Sequence, residues 1–593
     1  MKAIMIMFDS LNLRHLPSYG NKKLDLPNFD RLSKKAVQFE NNYVGSMPCI
    51  PARRELHTGR YNFLHRSWGP IEPFDESIFE KMDTKGIYTH LITDHQHYWE
   101  DGGCTYHTRY SSCELIRGQE GDKWKALLGV KPNDSEFSTP LDHSPVMKKL
   151  HAHDAVNRQY TNTEETMPQT ITFNNGLEFL NKNHTQDNWF LQIESFDPHE
   201  PFFAAQKYRD RYVADNSEKL SDWPPYYFVS ESKTVIEKTK NNYAALLAQC
   251  DSNLGKILDF MDDHSMWEDT MLIVNTDHGY LLGEHGWWSK TIMPMYNEIS
   301  HVPLFIHYPG VNVEGEKRYT LTQNVDIPAT ILDYFDLAPL PYMQGQSLKP
   351  VIKNDTPVRE YALFGDHGKH VNITNGQLVY MRAPENIENA PLFEYTLMPT
   401  HMRNMFSTTE LENAELVKNQ FDFMKNAPCL KIPVTTKVTP FFNYGTKLFD
   451  VKKDPNQKKA LDDEILEIKM INALIEEMKK NESPEEQFHR LGIPTSPIVT
   501  ARWLKESKMK REEPPQILTS YSWTEEAKNV YNTFQHLANP NCDQKKKIID
   551  AILNRLVTDQ IEVEYVLKSI MDIIPVENKA ITQYFLEMAG RKE

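Results

Sequence analysis

Residues 49–60 read Cys-Ile-Pro-Ala-Arg-Arg-Glu-Leu-His-Thr-Gly-Arg. A thiol, a proline two residues on and an arginine two beyond it sit where a helix would begin, with Pro51 in its first turn. Taken alone, Cys49 is either a buried, inert thiol or a group made reactive by its neighbours. Arg53 favours the second reading, being a fixed cation that can neutralise an anion developing at position 49. Asp9 follows an apolar run at 3–8, and Asp277-His278-Gly279 follows another at 270–275. Each acid by itself reads as a cap or turn residue. Together, acids at adjacent strand ends supply the oxygen ligands that a hard divalent cation prefers. His278 adds an imidazole or an orienting group, which leaves Ca²⁺ and Mn²⁺ open.

These groups lie far apart in the chain, so the fold must bring them together. Runs 3–8, 87–93, 189–195, 270–275 and 302–307 read as strands. All but the last end in a polar cluster: Asp9-Ser10, Asp94-His95-Gln96-His97, Asp197-Pro198-His199 and Asp277-His278. Stretches 27–37, 172–181 and 242–261 have helical spacing. Strand, polar cluster and helix in repetition predict an α/β fold with a large, mostly parallel central sheet flanked by helices. Such sheets gather ligands at the carboxyl ends of their strands. Past about residue 345 the pattern changes to short antiparallel strands around turns such as Asn375-Gly376. From about 460, Lys, Glu, Ile and Leu recur at helical spacing. The expected units are a catalytic α/β domain over 1–345, a smaller α+β subdomain over 346–460, and a helical extension over 461–593 that packs as a cap or forms a homo-oligomer contact.

Composition narrows the function classes. The chain has 593 residues, 40% of them hydrophobic, and a formal charge of −16, which argues against non-specific nucleic-acid binding. A protein of this balance that handles anions must concentrate its cations in a pocket. The six cysteines lack zinc-type spacing and are too sparse for a disulfide framework. The opening apolar run is too short for a signal peptide, and no run approaches a membrane span, so a cytoplasmic protein without membrane contact is expected.

The constellation resembles the type I sulfatases. Cys-x-Pro-x-Arg at 49–53, extended by Leu56 and Thr58-Gly59-Arg60, is similar to the segment where that family oxidises cysteine to formylglycine. Asp277-His278-Gly279, the run 282–286 and Lys290 resemble its metal and substrate segment. Asp9 resembles its first metal-binding acid, and 196–202 (Phe-Asp-Pro-His-Glu-Pro-Phe) its Pro-His-x-Pro-Phe segment. The resemblance runs from Met1 to about residue 460. It implies an alkaline-phosphatase-like fold and one divalent metal, favouring Ca²⁺ with Mn²⁺ as the alternative, held by Asp9, Asp277, His278 and modified Cys49. It implies sulfate binding by Lys290 and His199, and a maturation enzyme that reads 49–53 as an extended chain. Two positions depart from the family pattern. Ser10 stands where many members carry a second acid. At 94–97, where Lys-x-His is common, His97 takes the catalytic histidine's place. His95 would bind substrate there, a protonated imidazole replacing the lysine; the alternative is two surface-loop histidines. The stretches 117–122 and 365–370 read as scaffold. Trp68, Trp99, Trp287 and Trp288 either stack on substrate or pack in the core.

The chemistry implied is hydrolysis of sulfate monoesters, with sulfated mono- or oligosaccharides as the expected substrates. A hydroxyl of the formylglycine hydrate at 49 attacks sulfur with metal assistance, Asp277 takes its proton, and Arg53, Lys290 and His199 offset the negative charge. The alcohol leaves with a proton from His199. The second hydroxyl then expels sulfate and restores the aldehyde. A phosphonate monoester or phosphodiester hydrolase would share fold and nucleophile, since phosphoryl and sulfuryl groups have similar shapes. A non-catalytic binder of sulfated glycans, with Cys49 unmodified, is the alternative outside enzymology.

Overall fold

The structure is a computed structural model that describes residues 1–510 apart from 138–144, 214–218, 228, 387 and 435–440, and short stretches between 522 and 570. Its centre is an eight-stranded sheet built from β1 (Lys2–Phe8), β2 (Val37–Phe39), β3 (Tyr88–Thr93), β4 (Ser112–Leu115), β5 (Trp189–Ser195), β6 (Thr270–Thr276), β7 (Leu304–His307) and β8 (Lys317–Arg318), in the spatial order β8-β2-β7-β6-β1-β5-β3-β4. The expected α/β class with a mostly parallel sheet is what forms. The exception is β7, which runs antiparallel to both β6 and β2.

All seven residues of β1 are buried, because helices cover both faces of the sheet. Alternate side chains of β1 feed opposite cores. Ile4, Ile6 and Phe8 pack against α1 (Pro27–Lys35), α4 (Pro168–Asn183) and α5 (Lys233–Asp263). Ala3, Met5 and Met7 face α2 (Cys49–Thr58), α3 (Ile78–Thr84) and α6 (Ile327–Tyr334).

Register matters more for function than the core does. Phe8 lies level with Ser195 on one side and Thr276 on the other, and Thr93 lies level with Glu194. Four chain exits, at Asp9, Asp94, Phe196 and Asp277, therefore leave the sheet at one height on one edge.

A second sheet is formed by β9 (Ala362–Asp366), β10 (Val371–Thr374), β11 (Leu378–Arg382) and β12 (Lys447–Asp450). Asn375-Gly376 makes the expected turn between β10 and β11. Asn375 Oδ1 accepts from the Leu378 amide at 2.7 Å, and Gly376 has φ +84°. This sheet is not a free-standing unit. Residues Ser46–Met47, just before Cys49, add to it as a parallel edge strand, with Met47 level with Asp366. On its other face, α7 (Glu464–Lys480) buries Met470, Ile471, Leu474 and Met478 in one core with Leu363, Ile373 and Tyr380. The helix that follows residue 460 thus shares one hydrophobic core with this sheet and covers it. No helix among the described residues is long and apolar enough to cross a membrane.

Candidate active site

Cys49 is the first residue of α2, and Arg53 follows one turn later. That i, i+4 spacing puts both side chains on one helix face, and Arg53 Nη1 donates to the Cys49 carbonyl at 3.0 Å. The approach to the helix is tight. Ser46 N–H donates to Glu55 Oε2 at 2.7 Å, and a Cβ on Gly45 would lie 2.1 Å from Glu55 Oε1, so a larger residue there would have to push that carboxylate aside. Gly279 is constrained more firmly, since its Cβ would meet the backbone carbonyl oxygen of Glu298 at 2.0 Å.

The structure brings Asp9, Cys49, Asp277 and His278 together, with one ligand atom from each within 4.8 Å of the others. His278 Nε2 is 3.5 Å from Cys49 Sγ. Its Nδ1 lies 3.1 Å from the Gly279 carbonyl oxygen, which can only accept. The proton therefore sits on Nδ1, and the Nε2 lone pair faces the cluster as a metal ligand's must. Burial and the Lys290 charge hold His278 down to about 3, so it is neutral.

Arg53 organises the acids. It bonds Asp277 Oδ2 through Nη1, reaches Asp9 Oδ2 through Nη2 at 3.3 Å, and donates to Glu194 Oε1 through both Nε and Nη2 at 3.0 Å. All four side chains are fully buried. Lys290 Nζ is 3.7 Å from Asp9 Oδ1 and 4.0 Å from Cys49 Sγ. Three carboxylates thus share two cations, leaving surplus negative charge in a low-dielectric site. Burial pushes Asp277 up to about 7 even with Arg53 against it. Burial would also raise Asp9, but Lys290, His199, His278 and the His95 bond hold it well below the usual carboxylate range. Two carboxylates, an imidazole lone pair and position 49, with negative charge in excess, fit a divalent cation.

Ser10 does not join that donor set. Its hydroxyl donates to Asp9 Oδ1 at 2.8 Å and accepts from Lys290 Nζ at 3.1 Å, linking the first acid to the cation.

A cavity of about 460 Å³ opens on Cys49, with His97, His199 and Lys290 on its wall. His199 donates Nδ1–H to the Glu200 carbonyl at 2.5 Å, which leaves Nε2 for the pocket. His97 Nδ1 is held by Glu100 Oε2 at 2.6 Å. Burial, with Lys290 beside His199 and despite Glu100 beside His97, lowers both imidazoles, so both are neutral in this structure.

His95 departs from its expected place. It does not line the cavity. Its Nε2 bonds Asp9 Oδ2 at 3.0 Å, and burial together with the Arg53 charge holds it well below the usual imidazole range. A neutral, fully buried ring cannot replace a substrate-binding lysine, so His95 instead orients Asp9. The two stretches read as scaffold do reach the cavity, through Glu120, Asp366 and Lys369. Of the four tryptophans, Trp68 is on the wall; Trp99 bonds Asp122, and Trp288 is fully buried with its indole N–H on Glu231.

Sequence reasoning missed Glu194, Trp223 and Arg403. Glu194 left a signal, an acid inside the buried strand Trp-Phe-Leu-Gln-Ile-Glu-Ser, where an unpaired charge is prohibitive. Trp223 and Arg403 lie in irregular segments whose spacing carries no such mark.

Lys290 is the cation nearest the position 49 side chain. Lys290→Ala is expected to lower kcat/KM on the order of a hundred- to a thousandfold, the usual effect of losing one preorganised charge contact. A loss below tenfold in steady-state assays would remove Lys290 from the reacting centre.

Comparison with known proteins is consistent with this geometry. The family model described as Sulfatase matches residues 2–337, and the model for the C-terminal part of N-sulphoglucosamine sulphohydrolase matches 283–425. An arylsulfatase of Clostridium perfringens is 22% identical over 71% of this chain and 92% of its own length. An N-acetylglucosamine-6-O-sulfatase of Bacteroides thetaiotaomicron is also 22% identical, over 71% of this chain and 84% of its own. Among solved structures, one in complex with its substrate D-glucosamine-2-N,6-O-disulfate superposes with a TM-score of 0.54 at 15% identity, covering 82% of this chain and 99% of that one. The phosphonate monoester hydrolase of Agrobacterium radiobacter gives 0.53 at 16% identity, covering 81% and 95%. At these identities the structural likeness speaks to the fold, which is alkaline-phosphatase-like.

Proposed function

Because the chain belongs to the sulfatase family and is a sulfuric ester hydrolase, we propose that it cleaves sulfate monoesters of carbohydrates with a formylglycine hydrate at position 49 as nucleophile. The observation that carries this reading is Cys49 itself. The encoded thiol lies at the floor of the cavity, where burial and the Asp9 carboxylate push it well above its ordinary value despite Lys290. A thiol held protonated is a poor nucleophile at neutral pH. Asp9, Asp277, His278 and Lys290 around it suit a hydroxyl nucleophile at 49.

Asp9, Asp277, His278 and residue 49 would hold the divalent metal. When bound, it supplies Lewis-acid polarisation and lowers the pKa of an attacking hydroxyl. The imidazole among the donors suits Mn²⁺ better than the all-oxygen shell that Ca²⁺ prefers. Asp277, beside position 49 in the cluster, is the carboxylate placed to accept the nucleophile's proton. Lys290 meets the sulfate's charge. His199 is neutral without substrate; an anionic ester against Lys290 favours its imidazolium, so the proton it gives to the leaving alcohol arrives with the substrate. His97, aimed by Glu100, stands on the same wall and supports the ester oxygen. Arg53 holds the three acids in place through its hydrogen bonds.

Lys290 lies 4.0 Å from the position 49 side chain, whereas Arg53 is committed to Asp9, Glu194 and Asp277; one cation facing position 49 suits a singly charged ester. That includes sulfate monoesters and also phosphonate monoesters or phosphodiesters, so the second reading retains a physical basis. Two measurements test the proposal. Conversion of thiol to aldehyde lowers the mass of the Cys49 peptide by about 18 Da, a stoichiometric consequence of the covalent change, after co-expression with a formylglycine-generating maturation enzyme. The converted protein should then show higher kcat/KM on a sulfate ester than on a matched phosphonate ester. The reverse order would select the phosphonate reading, and an unconverted but fully active protein would eliminate the nucleophile.

A further inference from the structure

The cavity wall away from position 49 carries its own charge pattern. Lys369 and Arg403 are the described cations there, and each is already engaged. Lys369 Nζ pairs with Asp366 and donates to the Thr291 carbonyl. Arg403 Nε donates to Glu100 Oε1 at 2.7 Å, and its Nη2 reaches Glu120 Oε2 at 3.1 Å. Although burial opposes it, His97 and Arg403 hold Glu100 down to about 2, so it remains ionised. Arg403 therefore has no uncompensated charge, whichever state Glu120 takes.

Trp68, Trp223 and Tyr226 on that wall offer ring faces and edges to a sugar, beside His151, Ser67 and Thr291. At about 460 Å³ the space suits one or two sugar rings rather than a polymer segment. A second sulfate or a carboxylate entering it would meet Asp366 and would have to displace it from Lys369, leaving a buried acid unpaired. Hydroxyl and amide groups meet no such obstacle, because each ion pair keeps spare donors and acceptors for them.

Resting on the sulfatase reading, we infer that this protein acts on the terminal unit of a singly sulfated, otherwise uncharged sugar, and that the Asp366–Lys369 and Glu100–Arg403 ion pairs are specificity determinants that exclude a second anionic group.

The test uses the converted, metal-loaded protein and a panel of hexoses and N-acetylhexosamines sulfated at single positions, each beside the same sugar bearing an additional sulfate. A nitrophenyl sulfate and a phosphonate monoester serve as controls. For the best monosulfated sugar, kcat/KM should exceed that of its disulfated counterpart by at least about tenfold, the scale of one unfavourable charge contact. Asp366→Asn leaves Lys369 uncompensated and should narrow that ratio by about threefold or more. Adding Lys369→Met to Asp366→Asn removes the freed cation and should restore the preference, an outcome that a purely structural role for Asp366 would not produce. Equal or better turnover of disulfated sugars by the wild-type protein overturns the inference. So does turnover of the aryl sulfate with none of the sugars, although the sulfatase reading then survives. Turnover of the phosphonate with no sulfate ester overturns both.

Discussion

Cys49→Ala is expected to reduce turnover to the level of the uncatalysed background while the protein stays folded. The side chain is buried and small, and its removal costs stability only on the scale of an ordinary core truncation, about 1 kcal/mol. Every other group in the site would remain, so residual activity measures what the scaffold achieves without a nucleophile. Cys49→Ser is the sharper variant. Its hydroxyl can attack sulfur and release the alcohol once, forming an oxygen–sulfur bond at residue 49. It has no second hydroxyl to expel sulfate, so the product is a stable sulfate ester of the enzyme. The expected readout is one equivalent of alcohol per protein and a mass gain of about 80 Da on the peptide containing position 49, as the stoichiometry of sulfation requires. Sustained turnover by either variant would show that residue 49 is not the nucleophile.

The second large effect is on stability. Arg53 is fully buried and is shared by Asp9, Glu194 and Asp277. Arg53→Ala would leave three buried carboxylates with Lys290 as their neighbouring cation. Breaking a buried ion pair by removing one partner costs about 3–5 kcal/mol, because the remaining charge stays desolvated. We therefore expect a clearly lower unfolding midpoint, followed by near-UV circular dichroism, together with loss of activity. Arg53→Lys should fall between, since an ammonium cannot reproduce the planar fork that serves three acids. Adding Glu194→Gln to Arg53→Ala removes one stranded charge and should recover part of the loss, a coupling that a double-mutant cycle reads directly. Wild-type stability in Arg53→Ala would mean that the acids are protonated in the native state and that Arg53 does not hold them.

The glycine at 45 and the acid at 194 illustrate how sequence and structure divide the explanation. A reader of the chain sees a glycine before a cysteine motif and an acid within an apolar strand. Neither acquires a meaning until Glu55 is found against Gly45 and Arg53 against Glu194. His95 makes the opposite case. Its place two residues before His97 suggested a substrate-binding group in a lysine's position, but the chain leaves β3 so that His97 faces the cavity while His95 meets Asp9.

The sequence by itself determined the chemistry at short range. Apolar runs ending in acids dictated a parallel sheet with a polar edge, because buried strands must hand their polar groups to the loops that follow. The four-residue step from Cys49 to Arg53 dictated a shared helix face. Tertiary structure alone decided what lies across the pocket. Asp366 reaches the cavity because Ser46–Met47 adds to a sheet whose other strands begin more than 300 residues later, and Arg403 reaches it because its loop docks on Gly102, whose amide donates to the Met402 carbonyl at 3.0 Å. Such contacts depend on strand register and loop docking between segments far apart in the chain, which no local pattern of residues encodes. The cluster of Asp9, Cys49, Asp277 and His278 was therefore legible from motifs, whereas the facing wall of the cavity was not.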